Sequence, residues 1–192
     1  MGLTRSPTAP SKQGLASRQG VALLVLSVEA DVNEIARLGK DFPWAKPSCC
    51  PCCGQPLWWH GFVLAYFSCL LEPVLLRRLR CSCCHRVHRL KPAGYWRRFR
   101  SSVTEITQSV AHRCASGRWH RVLPRCRQRQ WWRRLGRMTR AVLGLFSGST
   151  LDAFEELLAQ GFVPVSLSFE RDNYGVGPPP YLSVSLPPLP SG

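Results

Sequence analysis

The stretch SCCPCCG occupies residues 48–54, and a second stretch, RCSCCHR, follows at residues 80–86. Seven of the ten cysteines of the chain lie in these two islands. Two cysteines separated by two residues can turn both sulfurs toward one ion, and four such thiolates form the usual shell of a structural Zn²⁺. The two islands therefore predict one zinc site that joins distant parts of the chain.

The spacing of the cysteines selects the ligands. In the second island only Cys81 and Cys84 are separated by two residues. The first island offers two registers, and Gly54 favours the later one, because a positive φ is commonly needed after the second cysteine of such a turn. The predicted ligands are Cys50, Cys53, Cys81 and Cys84.

Other interpretations of the islands stay open. The earlier register uses Cys49 and Cys52, and Cys83 is a bystander in either register. Disulfides or simply buried cysteines would need no metal. The nearby histidines are possible substitute ligands: His60, His85 and His88. A closed shell of four thiolates leaves no position for water, so the predicted metal is structural rather than catalytic.

The apolar stretch between the islands has two interpretations. Residues 57–76 are nearly long enough to cross a bilayer as a helix, which makes a membrane-associated protein one alternative. Such a helix would hold the islands about 30 Å apart and prevent them from sharing a metal. If zinc joins the islands, residues 57–67 and 73–80 are instead two strands of a hairpin in a zinc ribbon.

The charge of the chain is concentrated in one block. The 192 residues carry a net charge of +15, and residues 77–140 hold 19 basic residues against the single acid Glu105. Almost all of these basic residues are arginines, whose planar fork matches phosphate. Such a block repels itself unless a polyanion faces it. The charge predicts nucleic acid as the partner, with an anionic membrane surface as the second choice.

Helix signals follow the cysteine region. Ser102 and Glu105 predict the start of a helix that runs to about residue 115, and Ser149 with Asp152 predicts another that stops at Gly161. Between them, a helix over residues 125–146 has an apolar face at 4, 3, 4, 3 spacing: Trp131, Leu135, Met138, Val142 and Leu145. The opposite face carries Arg129, Gln130, Arg133, Arg137 and Arg140.

The remaining segments complete the predicted organisation. A strand at residues 21–28 and a short helix between Asp31 and Gly39 precede the cysteines, and a strand at residues 163–169 is predicted to pair with the first strand. The segments are a disordered start (1–19), a strand–helix lead-in (20–47), the zinc ribbon (48–92), a basic helical module (95–146), a helix–strand element (147–174) and a disordered Pro-rich tail (175–192).

These motifs resemble a bacterial pattern. CPCCG, then HGF at residues 60–62, then LRRLRCSCCHRVHRLKP at residues 76–92 and an Arg/aromatic run resemble the zinc ribbon and helix-turn-helix at the front of many insertion-sequence transposases. Short bacterial proteins of a family of unknown function, which carry this front end alone, are more similar still. The resemblance covers roughly residues 21–138. It implies Zn²⁺ at the four cysteines and DNA contact by the helix that contains RQRQWWRRLGRM.

The chain departs from that pattern in two places. His85 stands where a glycine or another small residue usually follows the last cysteine. Only residues 117–124 separate the two main helices, which is short for the middle helix of a full helix-turn-helix, and Pro124 interrupts this segment. The helical module is therefore predicted as helix-turn-helix-like. The predicted DNA contacts are Arg97, Arg98, Arg100, Arg125, Arg127, Gln128, Arg129, Gln130, Arg133, Arg134, Arg137 and Arg140.

The acids of the chain argue against an enzyme. A transposase of the resembling kind needs an acidic triad for its metal ions, and beyond Arg140 the acids are Asp152, Glu155, Glu156, Glu170 and Asp172. The first three fall within two turns of one helix and fit a solvated face. Nucleotide-binding, zinc-protease and serine-hydrolase motifs are absent from the sequence.

We therefore predict an α+β protein in which a small zinc ribbon precedes an Arg-rich, helix-turn-helix-like module. The expected function is zinc-stabilised binding of duplex DNA by a non-enzymatic accessory or remnant of a mobile element, with no small-molecule substrate. The expected location is the cytoplasm, on the nucleoid. The alternatives are a binder of RNA or single-stranded nucleic acid, since arginine and tryptophan suit unpaired bases, and the membrane-associated protein.

Overall fold

A computed structural model describes residues 24–169 of the chain. The segments predicted to be disordered, 1–19 and 175–192, lie outside the described residues, as do Glu170 and Asp172. The elements in chain order are β1 (Leu24–Val28), α1 (Val32–Leu38), β2 (Leu57–Ala65), β3 (Val74–Cys81), β4 (Val87–Pro92), α2 (Val103–Ser116), α3 (Arg125–Met138) and α4 (Thr150–Ala159). The described part is thus α+β, as predicted.

The four strands form one sheet in the order β1-β4-β3-β2. β2 and β3 are antiparallel, with Leu57 opposite Cys81 and Ala65 opposite Val74, which confirms the hairpin predicted between the cysteine islands. The register shifts between Trp59 and Phe62, where Gly61 has a φ of +76°. Because the hairpin returns the chain to the end of the sheet where β2 begins, Cys81 lies beside the first island.

The predicted partner of β1 is wrong. β1 pairs in parallel with β4, with Leu26 opposite Leu90, and β4 is a strand that the sequence patterns had not predicted. Residues 163–169 form turns and irregular backbone instead of a strand. Pro164 cannot donate a ladder hydrogen bond, and the buried side chains of Val163 and Val165 pack among the helices.

The predicted helix starts are confirmed. Asp31 Oδ1 accepts from the Asn33 N–H at 2.9 Å, and Ser102 Oγ accepts from the Glu105 N–H at 3.0 Å. Ser149 and Asp152 form a complete capping box at the start of α4. These contacts satisfy amide groups that have no partner within their own helix.

The predicted end of the helix over residues 125–146 is wrong. α3 stops at Met138 and continues as one π turn over Thr139–Leu143, which Gly144 ends with a φ of +65°. Leu145, predicted to lie on the apolar face, is fully exposed. The positive φ turns the chain away from the helix axis. A glycine stands at this position because few other residues adopt this φ without strain.

Two clusters of buried side chains stabilise the fold. The sheet core contains Val32, Ile35, Trp44, Cys50, Leu57, Phe67, Val74, Leu76, Leu79, Cys81 and Leu90. The helical core contains Trp96, Val103, Ile106, Val110, Trp131, Leu135, Met138, Phe154, Leu157, Leu158, Val163 and Val165. Hydrogen bonds link the two cores, from Lys91 Nζ to the Trp96 and Phe99 carbonyls and from Ser68 Oγ to Glu105.

The membrane alternative placed a helix at residues 57–76. These residues instead form β2, the hairpin turn and the start of β3. Across residues 24–169, none of the helices has the length and apolar character needed to cross a bilayer. The membrane-spanning helix is therefore wrong for this fold.

Candidate metal centre and nucleic-acid interface

Four cysteine sulfurs converge at one end of the β2–β3 hairpin. The Sγ atoms of Cys50, Cys53, Cys81 and Cys84 all lie within 4.8 Å of one another. Cys53 Sγ is 3.4 Å from Cys81 Sγ, and Cys50 Sγ is 3.6 Å from Cys84 Sγ. In a tetrahedral shell with Zn–S bonds of about 2.3 Å, neighbouring sulfurs are about 3.8 Å apart. The cluster therefore has the size that a metal ion requires.

Two tight turns deliver these sulfurs. The Gly54 N–H donates to the Cys50 carbonyl at 2.8 Å, and the Cys81 N–H donates to the Arg86 carbonyl at 3.1 Å. Gly54 has a φ of +72°, as predicted, and His85 takes the matching position in the second turn with a φ of +57°. A positive φ is less favourable for histidine than for glycine, although histidine adopts it more often than most residues, so the departure noted at His85 strains this turn only slightly.

The environments of the four thiols differ. The backbone N–H of Gln55 and the neighbouring Cys81 thiol lower the pKa of Cys53 to about 6, whereas burial raises the pKa of Cys50 to about 12. Cys50 has almost no exposed surface. A buried thiol that resists ionisation is deprotonated when a cation binds it. The cluster thus has the donors of a structural metal site, with Cys50 and Cys81 buried and Cys53 exposed.

The other cysteines of the islands are more exposed. Cys49, Cys52 and Cys83 are exposed, and Arg86 Nη1 donates to Cys52 Sγ at 3.3 Å. Within residues 24–169, the earlier register of Cys49 with Cys52 is not assembled into a four-sulfur group. The register chosen from Gly54 is the one that the fold brings together.

His88 contributes to the cluster in a way that cysteine spacing did not reveal. Its side chain is fully buried on β4, and its Nε2 lies 3.3 Å from Cys50 Sγ. Cys50, Cys52 and His88 form a second compact group of donor atoms. Burial and the charge of Arg86 lower the pKa of His88, which keeps the ring neutral and able to donate an N–H to sulfur. The burial pattern of β4 alternates only over its first four residues, and no sequence pattern marked this strand.

The α3 helix separates its apolar and basic faces as predicted. Trp131, Leu135 and Met138 are buried in the helical core. The exposed residues on the other side include Arg125, Arg129, Gln130, Arg133, Arg137 and Arg140. The rest of the predicted contact set lies at the edge of α3 or in the loop before α2: Arg127 and Arg134 are half-buried, Arg97 is half-buried, and Arg98 and Arg100 are exposed.

Gln128 occupies a different environment from the other predicted contacts. It is 1% exposed. Its Oε1 accepts from Ser109 Oγ at 3.0 Å and from the His120 N–H at 2.9 Å, and its Nε2 donates to the His120 and Leu123 carbonyls. These four bonds use both acceptor positions of the amide oxygen and both N–H groups of the amide nitrogen. Gln128 is therefore unavailable to a DNA base in this fold, which corrects its predicted contact.

Residues 117–124 hold no helix between α2 and α3. The middle helix of a full helix-turn-helix is thus missing at this position, in line with the shortness noted in the sequence. Comparison with protein-family models, curated proteins and solved structures finds no match to this chain. The resemblance to transposase front ends therefore stays a prediction.

Proposed function

We propose that this protein binds duplex DNA through the exposed face of α3 and that Zn²⁺, held by Cys50, Cys53, Cys81 and Cys84, stabilises its sheet. The observation that carries the proposal is the row of exposed arginines along α3. Arg125, Arg129, Arg133 and Arg137 follow one another at intervals of four and lie on one face of the helix.

This row is unfavourable for an isolated helix. Like charges four residues apart repel one another, and arginines in the first turn oppose the helix dipole, which favours negative charge there. α3 contains no acidic residue that would offset either effect. A polyanion on this face would relieve the repulsion, and duplex DNA carries one negative charge per about 1.7 Å of its axis.

The proposed biological role is that of an accessory or remnant of a mobile element that acts on the nucleoid without its own catalysis. The cysteine and arginine motifs support it through their resemblance to transposase front ends. Asp152 is engaged in the cap of α4, while Glu155 and Glu156 are exposed on the same helix. Incubation of the purified protein with DNA and Mg²⁺ or Mn²⁺ is expected to leave the DNA uncut. Nicking that persists after repurification would contradict the non-enzymatic role.

The salt dependence of binding tests the DNA proposal. If a third of the 19 basic residues in residues 77–140 meets phosphates, the log–log slope of affinity against salt is roughly −5 to −6. Arg140→Ala should weaken binding to every sequence and make the slope shallower by about one. Arg129→Ala and Gln130→Ala should cost about 1–3 kcal/mol on a preferred site and little on random DNA. A slope near zero in the folded protein would reject the proposal.

The metal proposal is tested on the same protein. We expect one Zn²⁺ per chain in a four-sulfur shell, measured by metal analysis and X-ray absorption. Cys81→Ser should release the metal and unfold the sheet, because metal binding of this kind contributes on the order of 10 kcal/mol to folding. Cys83→Ser is the matched control, since Cys83 is exposed, and it should retain the metal. Equal damage from both changes would mean that the ligands are wrong.

A second candidate function is binding to unpaired nucleic acid. Trp58 and Trp59, on β2, are 61% and 39% exposed. The guanidinium of Arg77 lies 4.8 Å from the Trp59 ring centre and 4.3 Å from that of Phe62. Exposed aromatics beside cations suit base stacking. Trp59→Ala should weaken the binding of single-stranded DNA and RNA and leave the binding of duplex DNA unchanged. If single strands bind more weakly than duplex and the variant leaves them unchanged, this candidate is rejected.

A further inference from the structure

Four arginines surround one pocket beside α3. The pocket has a volume of about 340 Å³ and is formed by the loop before α2, one side of α3 and the segment after α4. Its basic residues are Arg98, Arg100, Arg127 and Arg134, and it is lined by no acidic residue. Within residues 24–169, none of these guanidinium groups forms an ion pair with a carboxylate. Four arginines without a carboxylate partner in the described part of the chain therefore line one open pocket, and the Arg100 guanidinium also lies 4.9 Å from the Tyr66 ring centre.

Two buried serines complete the pocket. Ser101 and Ser166 line it and are only 2% and 6% exposed. Arg127 Nη1 donates to Ser101 Oγ at 3.1 Å, which holds this guanidinium against the pocket wall. Burial and the charge of Arg137 lower the pKa of Arg134. An anion inside would offset both unfavourable effects through its attraction to the Arg134 guanidinium.

The loop that carries Arg98 is strained and firmly anchored. Arg98 has a φ of +65°, which a non-glycine residue adopts only at a cost. Lys91 Nζ donates to the Trp96 and Phe99 carbonyls, and the Ser68 N–H donates to the Arg100 carbonyl at 2.9 Å. These contacts hold the loop in place from both sides of Arg98. Strain that is retained by its surroundings is a mark of a binding position.

We propose that this pocket binds a terminal phosphate monoester, namely the 5′-phosphate of a DNA end together with its nucleoside. A monoester carries close to two negative charges at neutral pH, whereas a phosphodiester within a strand carries one, and four arginines suit the higher charge. The volume exceeds that of a phosphate alone and falls in the range of small-ligand sites. Phe99 and Trp131 provide apolar wall for the nucleoside.

This inference rests on the proposed function, because the exposed face of α3 would bring the DNA to the pocket. Binding of a short duplex with 5′-phosphate ends is compared by fluorescence anisotropy with the same duplex bearing 5′-hydroxyl ends. We expect the phosphate to increase affinity about tenfold or more, the factor that charge-assisted hydrogen bonds supply. A nucleoside 5′-monophosphate, titrated by calorimetry against the matching nucleoside, tests the pocket without duplex DNA.

Two variants assign the effect to the pocket. Arg98→Gly removes one guanidinium and places glycine at the positive φ, so the variant should fold as well as the wild type. Arg134→Gln removes a second guanidinium. Both changes should abolish the advantage of the 5′-phosphate. Arg129→Gln is the matched control on α3, because Arg129 is exposed and lies outside this pocket. The two duplexes share one sequence, so any loss of affinity should be equal for both and their ratio should be preserved.

The outcomes separate this inference from the proposed function. Equal affinity for the two duplexes, with no binding of the mononucleotide, would overturn the inference and leave DNA binding intact. Failure to bind either duplex, with the mononucleotide bound in an Arg98-dependent way, would reject the proposed function and support the pocket. A phosphoserine peptide that competes as well as the mononucleotide would overturn the assignment to a nucleotide.

Discussion

Gln128 and Gln130 stand two positions apart on α3 and have opposite environments. Gln128 is buried and makes four hydrogen bonds, whereas Gln130 is exposed. Gln128→Ala leaves buried groups of Ser109, His120 and Leu123 without their partner. We expect a loss of about 1–3 kcal/mol in the free energy of unfolding, measured by urea titration of the zinc-loaded protein.

The matched control is Gln130→Ala, which should change the free energy of unfolding by less than about 0.5 kcal/mol. Its effect should appear in DNA affinity instead. The two glutamines thus differ in role because they differ in burial: Gln128 stabilises the fold, and Gln130 is free to bind. If the two variants unfold at the same urea concentration, the hydrogen-bond network around Gln128 does not stabilise the fold.

Lys91 is a buried lysine between the two cores. Burial and the charge of Arg89 lower the pKa of Lys91 to about 7 in the folded protein, against an ordinary value of 10.5. Between these two pH values the unfolded chain binds a proton that the folded chain lacks, so stability increases with pH. The slope reaches at most about 1.4 kcal/mol per pH unit.

Lys91→Met removes this titration while it keeps an apolar side chain of similar length. Unfolding by urea, followed from pH 7 to pH 10, should give a steeper increase in stability for the wild type than for the variant. The comparison cancels the titration of the cysteines, which both proteins share. Parallel curves would show that Lys91 keeps its proton in the folded state.

At the scale of one element, α3 combines poor intrinsic stability with a suitable binding surface. Arg129→Glu would place a carboxylate four residues from both Arg125 and Arg133, in the first half of the helix. Attraction replaces repulsion in both pairs, so we expect the protein to become more stable by about 1 kcal/mol. Affinity for a preferred DNA site should fall at least about tenfold, because a base contact is lost and a negative charge is placed beside the phosphates.

Arg129→Gln separates the two effects. It removes the repulsion without adding a negative charge, so its stability and its DNA affinity should both lie between those of the wild type and Arg129→Glu. Thermal unfolding and anisotropy titrations on the same samples provide the two measurements. A folded Arg129→Glu protein that binds DNA like the wild type would exclude this face of α3 from the interface.

At the scale of the whole molecule, the metal should matter more to one core than to the other. The four cysteines lie at the end of the sheet, and Cys50 and Cys81 belong to the sheet core. The helical core contains none of the four. Removal of Zn²⁺ by a chelator should therefore unfold the sheet first, since the binding free energy of a structural metal is largely folding free energy.

Hydrogen exchange measures this difference. Amides of β2 and β3 should lose protection in the chelated protein, while amides of α2, α3 and α4 should keep more of theirs. Lys91 and Ser68 form hydrogen bonds to Phe99 and Glu105, near the start of α2. Amide protection there should therefore decrease in part. Uniform loss of protection across both cores would show that the two fold as one unit.

The local signals of the sequence were sufficient for the elements that depend on local chemistry. Asp31, Ser102 and Ser149 marked helix starts because a side-chain oxygen satisfies nearby amides. The spacing of the cysteines and the position of Gly54 selected the four sulfurs that the fold brings together. The hairpin followed from the same pattern, because two islands that share a site require the intervening chain to return.

Tertiary structure decided what depends on distant partners. β4 and its parallel pairing with β1 were missed, and the strand predicted at residues 163–169 was wrong, since strand pairing is settled by burial against other elements. Gln128 was predicted to contact DNA, yet the loop after α2 encloses it. The arginine pocket unites three segments that are far apart in sequence. Charge and spacing are properties of the chain alone, whereas burial and enclosure exist only once the chain has folded.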